Sequence, residues 1–425
     1  MVRFLAQETA SGVLLLVATA LALLWVNSPW GDTYFQFWET HLSINLGSIH
    51  IIDLSLHGWV NDALMALFFF VVGMEIKSEL VDGELADPRV AALPAFGAIG
   101  GMIFPAALYL AFNAGGDTSA GWGIPMATDI AFAVGVLALL GPKVPQALKL
   151  FLLTLAIVDD IGAILVIAIF YTTSISFAWL GLAVAVTVLI VALRPLRVWY
   201  QPVYVLLGSI VWFATHESGV HATIAGVTLG LLAPARPLLG QRSFETVEDV
   251  LSGDTADPAR LRDMSFKLRE AVPVTTRLTN LLSPWTSFVV VPLFALANAG
   301  VLLSRDAISG ALSSTVTLGI IVGLVIGKPV GIYLFAMLAI RLKVAQLPSV
   351  LRPIHLLGAG AVAGIGFTVA LFIASLAFDD RSLADEAVIG ILVASLAATF
   401  AGWLILRTAG DDSPAEEPES VLVEA

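Results

Sequence analysis

Residues 146–171 read QALKLFLLTLAIVDDIGAILVIAIFY, an unbroken apolar run with two adjacent carboxylates, Asp159 and Asp160, at its middle. A helix crosses roughly 30 Å of hydrocarbon in about 20 residues, so the run reads as a membrane span. A charge at the centre of such a span costs about 2.5 to 3.5 kcal/mol on insertion scales. Neighbouring residues sit about 100° apart around a helix axis, so the two acids cannot both face the same partner. One can meet a cation held by the protein while the other faces a water-filled cavity. A structural ion pair needs one acid per base, which leaves the second acid without a structural purpose.

The rest of the chain has the same character. Of its 425 residues 58% are hydrophobic and only 13% charged, with a mean hydropathy of +0.92, far more apolar than a soluble domain can hide. The predicted class is an all-α polytopic membrane protein with twelve transmembrane helices, at about 11–27, 58–80, 91–113, 121–140, 146–171, 177–194, 199–216, 220–235, 279–302, 315–340, 353–378 and 385–407. The run from Ser11 to Val26 follows Arg3, but no small-x-small cleavage site follows it, and it is taken as the first span. Loops on the side of the two termini hold 18 of the 21 basic residues, which predicts cytoplasmic termini. No cysteine is present, so disulfide, thiolate-metal and cysteine-nucleophile chemistry are excluded. The net charge of −12 owes much to Asp411, Asp412, Glu416, Glu417, Glu419 and Glu424, in a tail, 408–425, expected to be disordered. The basic residues follow topology rather than forming a patch with aromatics, so nucleic acid is not an expected partner; membrane lipid is.

Two segments lie outside the spans. Leu42, Ile44 and Leu46 alternate with polar residues before Gly47-Ser48, and Ile49 and Ile51 resume the alternation, so 42–52 reads either as a hairpin or as an irregular loop. The loop 236–278 carries Asp257-Pro258 ahead of Leu261, Met264, Leu268 and Val272. It reads as a capped surface helix or as a solvated linker.

Few ionisable groups fall in the middle of spans: Asp129 in the fourth, Asp159 and Asp160 in the fifth, and Lys328 in the tenth. Burial disfavours charge, so protons and a metal cation can compete for such groups near neutral pH. Na+ and Li+ are hard cations that take oxygen ligands, which Asp160, backbone carbonyls and the Thr128 hydroxyl can supply. Asp129 follows Gly121, Gly123 and Pro125, and the eleventh span holds Gly358, Gly360, Gly364 and Gly366. Both stretches can interrupt a helix, although the glycines equally serve close packing. In a broken pair, Asp129 is placed to compensate positive helix ends and Lys328 negative ones. Glu75 and Glu79, at the end of the second span, and His221 are weaker candidates for a pH response; the plainer readings are a wet helix end and a hydrogen-bonded histidine. Asp62 suits a helix start or an entrance.

Six motifs in order carry a resemblance: Asn61-Asp62-Ala63-Leu64-Met65, Ala127-Thr128-Asp129-Ile130-Ala131-Phe132, Ala156-Ile157-Val158-Asp159-Asp160, Ser218-Gly219-Val220-His221-Ala222-Thr223, Gly327-Lys328-Pro329 and Gly364-Ile365-Gly366-Phe367-Thr368. With them the chain resembles the NhaA family of Na+/H+ antiporters. The resemblance implies an electrogenic antiporter of a bacterial inner membrane that carries Na+ or Li+ out against more than one H+ and needs no cofactor. It implies inverted repeats at about 91–171 and 315–407, and broken, crossing fourth and eleventh spans. It gives Asp160 the cation, with Asp159 and Thr128 as further ligands, pairs Asp159 with Lys328, and sets Thr128 and Asp129 at the crossing. It also implies a homodimer through 42–52. Where the family carries a glutamate and histidines at the start of the ninth span, this chain reads Leu278-Thr279-Asn280-Leu281-Leu282-Ser283-Pro284-Trp285, so a shifted pH response is expected.

Two rival readings remain. A proton- or sodium-coupled solute carrier of similar architecture would need more polar residues than Asn298 and Thr368. An intramembrane aspartyl protease also needs buried aspartates, but its Gly-x-Gly-Asp pattern is absent and Lys328 has no role in it.

Overall fold

The computed structural model describes residues 2–46, 49–141, 144–172, 174–193, 201–237 and 270–410. Nearly all of this is helical. Among the described residues five helices are long and apolar enough to cross a membrane: α4 (Pro88–Phe112), α6 (Gln146–Phe170), α10 (Val274–Asn298), α12 (Thr315–Arg341) and α15, from Arg381 to Ala409. Three sharply bent helix pairs raise the number to as many as eight. The other predicted spans correspond to shorter helices: α3 (Met65–Asp82), α7 (Phe177–Leu193), α8 (Gln201–Glu217) and α9 (Thr223–Leu232). The 10 residues of α9 reach only about 15 Å at 1.5 Å per residue. The Gly47-Ser48 turn, the proposed surface helix after Asp257-Pro258 and the acidic tail beyond 410 lie outside the described residues.

Helix starts follow local chemistry. Asp87 caps α4 by accepting from the Arg89 amide, with Pro88 at the first helical position, where a missing N–H costs nothing. Ser304 caps α11 (Arg305–Ser313) and Ser314 caps α12 in the same way. The outside of the bundle is greasy, with Leu139, Ile169, Phe177 and Leu396 each about two-thirds or more exposed. Such a surface is at home only in lipid.

Between helices there is little hydrophobic drive in a bilayer, so close approach depends on small residues. At the contact of α4 and α12, a Cβ on Gly100 would collide with the Gly331 carbonyl, and one on Gly331 with the Gly100 carbonyl. Only two glycines let these backbones touch. The same approach carries the stem of Lys328 over Gly101, whose Cβ would lie 3.8 Å from the lysine Cε. A buried cation is thereby delivered to the middle of the bundle.

On one edge, α2 (Gly31–Glu39) turns away from α1 (Val2–Val26) by 113°. It leads into β1 (His41–Leu46), which pairs antiparallel with β2 (Ile49–Ser55), Leu42 opposite Leu54 and Ile44 opposite Ile52. The register slips between Ile44 and Asn45, so the alternation read from the sequence breaks there. The pairs of opposed apolar side chains share one face, on which Leu42 and Ile44 are about half exposed and Ile52 is buried.

Two breaks decide the interior. A 3-10 segment, Asp117–Met126, stops at Ala127-Thr128-Asp129 and is followed at a 41° bend by α5 (Ile130–Leu140). The pair α13 (Pro353–Ala363) and α14 (Phe367–Ala377) bends by 50° across Gly364-Ile365-Gly366. The breaks satisfy each other's backbone, as buried amides and carbonyls must: the Asp129 amide donates to the Ile365 carbonyl at 2.6 Å, and Thr128 Oγ1 lies 3.0 Å from the Ala363 carbonyl.

Candidate functional site

The site gathers where the two breaks meet α6 and α12. Asp159 and Asp160 stand on the straight helix α6, and the turn between them sends the two carboxylates to different neighbours. Asp159 points inward. Its Oδ2 accepts from Lys328 Nζ at 2.7 Å and from Thr128 Oγ1 at 2.7 Å, while Oδ1 is buried with no hydrogen-bond partner among the described residues. Lys328 and Asp159 are 0% and 1% exposed, so this is a fully desolvated ion pair. Thr128 has one proton and two acceptors in reach, Asp159 Oδ2 and the Ala363 carbonyl, and can serve only one at a time.

The broken helices present their ends to the same place. Lys328 Nζ donates to the carbonyl of Met126, the last residue of the 3-10 segment, so the ammonium meets the negative end of that half-helix. Asp129 serves two positive ends. Its Oδ1 accepts from the Phe132 amide of α5 at 3.1 Å. Its Oδ2 accepts from the Thr368 amide at 3.1 Å and the Thr368 hydroxyl at 2.5 Å, at the start of α14. One carboxylate thus caps two helix N-termini, its Thr368 partner lying 239 residues further along the chain.

Asp160 differs from both. Among the described residues nothing hydrogen-bonds to its carboxylate, and its charged neighbours are Asp159, Glu75, Asp129 and Lys328. It is 8% exposed and lines a cavity of about 390 Å³ that also takes in Thr128, Asp129, Thr368, Glu75 and Glu79. Four carboxylates and the Thr128 and Thr368 hydroxyls therefore put oxygen ligands on the wall of this space, while Lys328, paired with Asp159, does not line it. Among the described residues no group of three or more histidine and carboxylate side chains is arranged to hold a metal, so a cation here would be ligated largely by Asp160 and by hydroxyl and carbonyl oxygens.

Of the weaker candidates, Glu75 and Glu79 reach this cavity; Glu79 Oε2 also accepts from the Glu84 amide at 3.0 Å. His221 does not line it, and pairs with the Tyr171 carbonyl at 2.7 Å. Asp62 lies 3.7 Å from His216 in a separate polar group, beside the cluster of His57, Asn61 and Asn298. Thr368 was legible only as part of a motif, and its bond to Asp129 had no signal of its own. The Met126, Ala363 and Ile365 carbonyls carry no side-chain signal at all.

A model of the family described as Na+/H+ antiporter 1 matches residues 2–406. The chain is 50% identical over 416 residues to "Na(+)/H(+) antiporter NhaA 3" of Frankia alni, covering 98% of this chain and 90% of that protein. It is 44% identical over 420 residues to "Na(+)/H(+) antiporter NhaA" of Syntrophobacter fumaroxidans, covering 94% and 89%. With the protein of the same name from Citrobacter koseri the identity is 45% over 410 residues, covering 96% and 97%. Matched along almost its whole length, the chain belongs to the Na+/H+ antiporter 1 family.

Proposed function

We propose that the chain is a secondary antiporter that exchanges Na+, or Li+, for H+ across a bacterial inner membrane, with Asp160 as the group for which the two cations compete. The observation that carries this reading is the difference between two adjacent acids. Asp159 is engaged by Lys328 and Thr128, whereas Asp160 faces the cavity with no hydrogen bond among the described residues. A carboxylate already engaged by a lysine is a poor ion carrier; one open to a cavity binds either H+ or an alkali cation. If only the loaded forms cross between inward-open and outward-open states, the gradient of one ion drives the other. An aspartyl protease would need two carboxylates sharing one proton, which the Asp159–Lys328 pair does not support.

Electrogenic exchange needs a second proton per cycle, and the buried Asp159–Lys328 pair beside Asp160 is a titratable pair that can carry it. The distribution of 18 of 21 basic residues supports cytoplasmic termini. In the same reading residues 1–407 form one transmembrane domain in which α3, α7, α8 and α9 complete twelve spans, 91–171 and 315–407 are inverted repeats, and the two broken spans cross. Glu75, Glu79 and His221 tune the response to pH, and the 42–52 strands join two copies as a homodimer.

Vesicles reconstituted with the purified chain and a pH-sensitive dye test the reading. Na+ and Li+ should dissipate an imposed pH gradient where K+ does not, and the apparent KM for Na+ should rise about tenfold for each unit of acidification once the competing proton is bound. A KM indifferent to pH would show that H+ and Na+ do not share a site.

A further inference from the structure

The Asp160 cavity is a cleft between two sets of helices. One wall is α1, α3 and α10; the other is α6 with α5 and α14, the second halves of the two broken pairs. Ser11, near the start of α1, lines it, which puts its mouth on the side of the chain termini. Its floor is aromatic. Phe372 of α14, one turn beyond Thr368, lies between Phe69 of α3 and Phe294 of α10, with ring centroids 5.4 and 6.1 Å away, and all three are buried. If exchange proceeds by alternating access, the two sets must part on the face beyond this floor. Contacts that join them there are broken and remade in every cycle.

One such contact joins α2 to α15. α2 follows the end of α1, and α15 runs from Arg381 toward the C-terminus, so α2 and Arg381 both lie on the face opposite the termini. α2 belongs with the first set. The Tyr34 hydroxyl lies 2.8 Å from the Leu296 carbonyl and 2.9 Å from that of Ala297, and its ring sits so close to Gly300 that a Cβ there would collide with it. The Phe35 ring meets Tyr34 edge-on at 5.2 Å and is held by that neighbour. Arg381 belongs with the second set. It is the first residue of α15, which packs along α12, α13 and α14, and Asp380 caps that start by accepting from the Ser382 amide at 2.7 Å. The Arg381 guanidinium carbon stands 3.7 Å from the centroid of the Phe35 ring.

We infer that Arg381 and Phe35 form a latch across the face opposite the termini, holding the transporter in the state whose cavity opens toward the termini. The inference rests on the antiport reading and adds to it two residues that set the balance between the two open states. Arg381 is exposed and Phe35 half-buried, and a cation over an aromatic face at such a site shifts a two-state equilibrium by about two- to fivefold. That strength suits a contact remade at every turnover, where a fully buried ion pair would hold the protein shut. Asp385, one turn along α15, carries the opposite charge and interacts with Arg381, so it can take the guanidinium when the ring withdraws. An arginine that rested on the ring only to cover its own stem would affect stability without favouring either face.

Transport measured from each face tests the latch. A scarce state raises the apparent KM of a ligand that needs it, in proportion to its scarcity. In right-side-out vesicles, where Na+ meets the face that the latch closes, Phe35→Leu and Arg381→Ala should each lower the KM for Na+ about two- to fivefold. In everted vesicles, where Na+ meets the mouth of the cavity, the KM should not fall. The double variant should match the single ones, because the contact is already gone. Phe35→Trp offers the cation a better ring and should raise the right-side-out KM, and Arg381→Lys should stay nearest the parent. The chain has no cysteine, so Phe35→Cys with Arg381→Cys creates a single thiol pair, and a short, reducible bis-thiosulfonate bridge across it should stop exchange until it is reduced. KM values that move together on both faces or not at all, or exchange that survives the bridge, overturn the inference while leaving antiport intact. Absence of Na+/H+ exchange by the parent chain overturns both.

Discussion

Lys328 Nζ lies 2.7 Å from Asp159 Oδ2, and neither side chain is measurably open to solvent. Removing one member of such a pair strands the other charge, at a cost of about 3 to 5 kcal/mol, whereas removing both is often neutral. Lys328→Met and Asp159→Asn should each lower the thermal unfolding midpoint in detergent. The double variant should recover most of that loss while remaining inactive. A double variant no more stable than the worse single one would mean that the two charges are not each other's main support.

Asp160 predicts the opposite pattern. With no hydrogen bond to lose among the described residues, Asp160→Asn should leave unfolding unchanged or slightly shifted upward, because a buried charge disappears. Sodium-dependent proton exchange should vanish. Unchanged exchange in vesicles would remove Asp160 from the cation site.

Asp129 should matter chiefly to structure. Asp129→Ala removes acceptors for Phe132 and for Thr368, one at each helix start, and loss of a cap costs about 0.5 to 2 kcal/mol. Asp129→Asn keeps one acceptor oxygen and should fall between wild type and Ala in unfolding midpoint. Equal midpoints for the Asn form and wild type would show that only one of the two caps contributes.

The paired strands invite a separate measurement. Leu42 and Ile44 stand about half exposed on β1. On the proposed homodimer, placing lysine at both should shift native mass spectra in detergent toward the monomer while leaving exchange per protomer within about twofold, since desolvating two charges at an apolar interface costs several kcal/mol. Persistent dimers would place the contact elsewhere.

How far the residues foretold the structure depends on what kind of group was being read. Apolar run length placed α4, α6, α12 and α15 to within a few residues, because lipid demands long greasy helices. It was less exact where packing, not lipid, sets the length, as in the ten residues of α9. The 100° step between Asp159 and Asp160 foretold that they would part company, but only the neighbours, Lys328 and Thr128 on one side and open space on the other, decide which acid is which. The proline and glycines near Asp129 and in the eleventh span pointed to interruptions. That the breaks would complete each other could not be read, because the joining groups are the carbonyls of Met126, Ala363 and Ile365, present at every position of any chain.

The stitching of Thr128 and Asp129 to residues 363–368 has a consequence for biogenesis. While the ribosome is still making the first half, Asp129 has no Thr368 to accept from and its amide has no Ile365 carbonyl to meet, so the nascent bundle holds raw polar edges inside lipid. The early spans would therefore sit in a provisional arrangement, sheltered by insertion machinery or by water, until some 240 further residues arrive. A truncated product ending before α13 should be cleared by membrane proteases rather than accumulate.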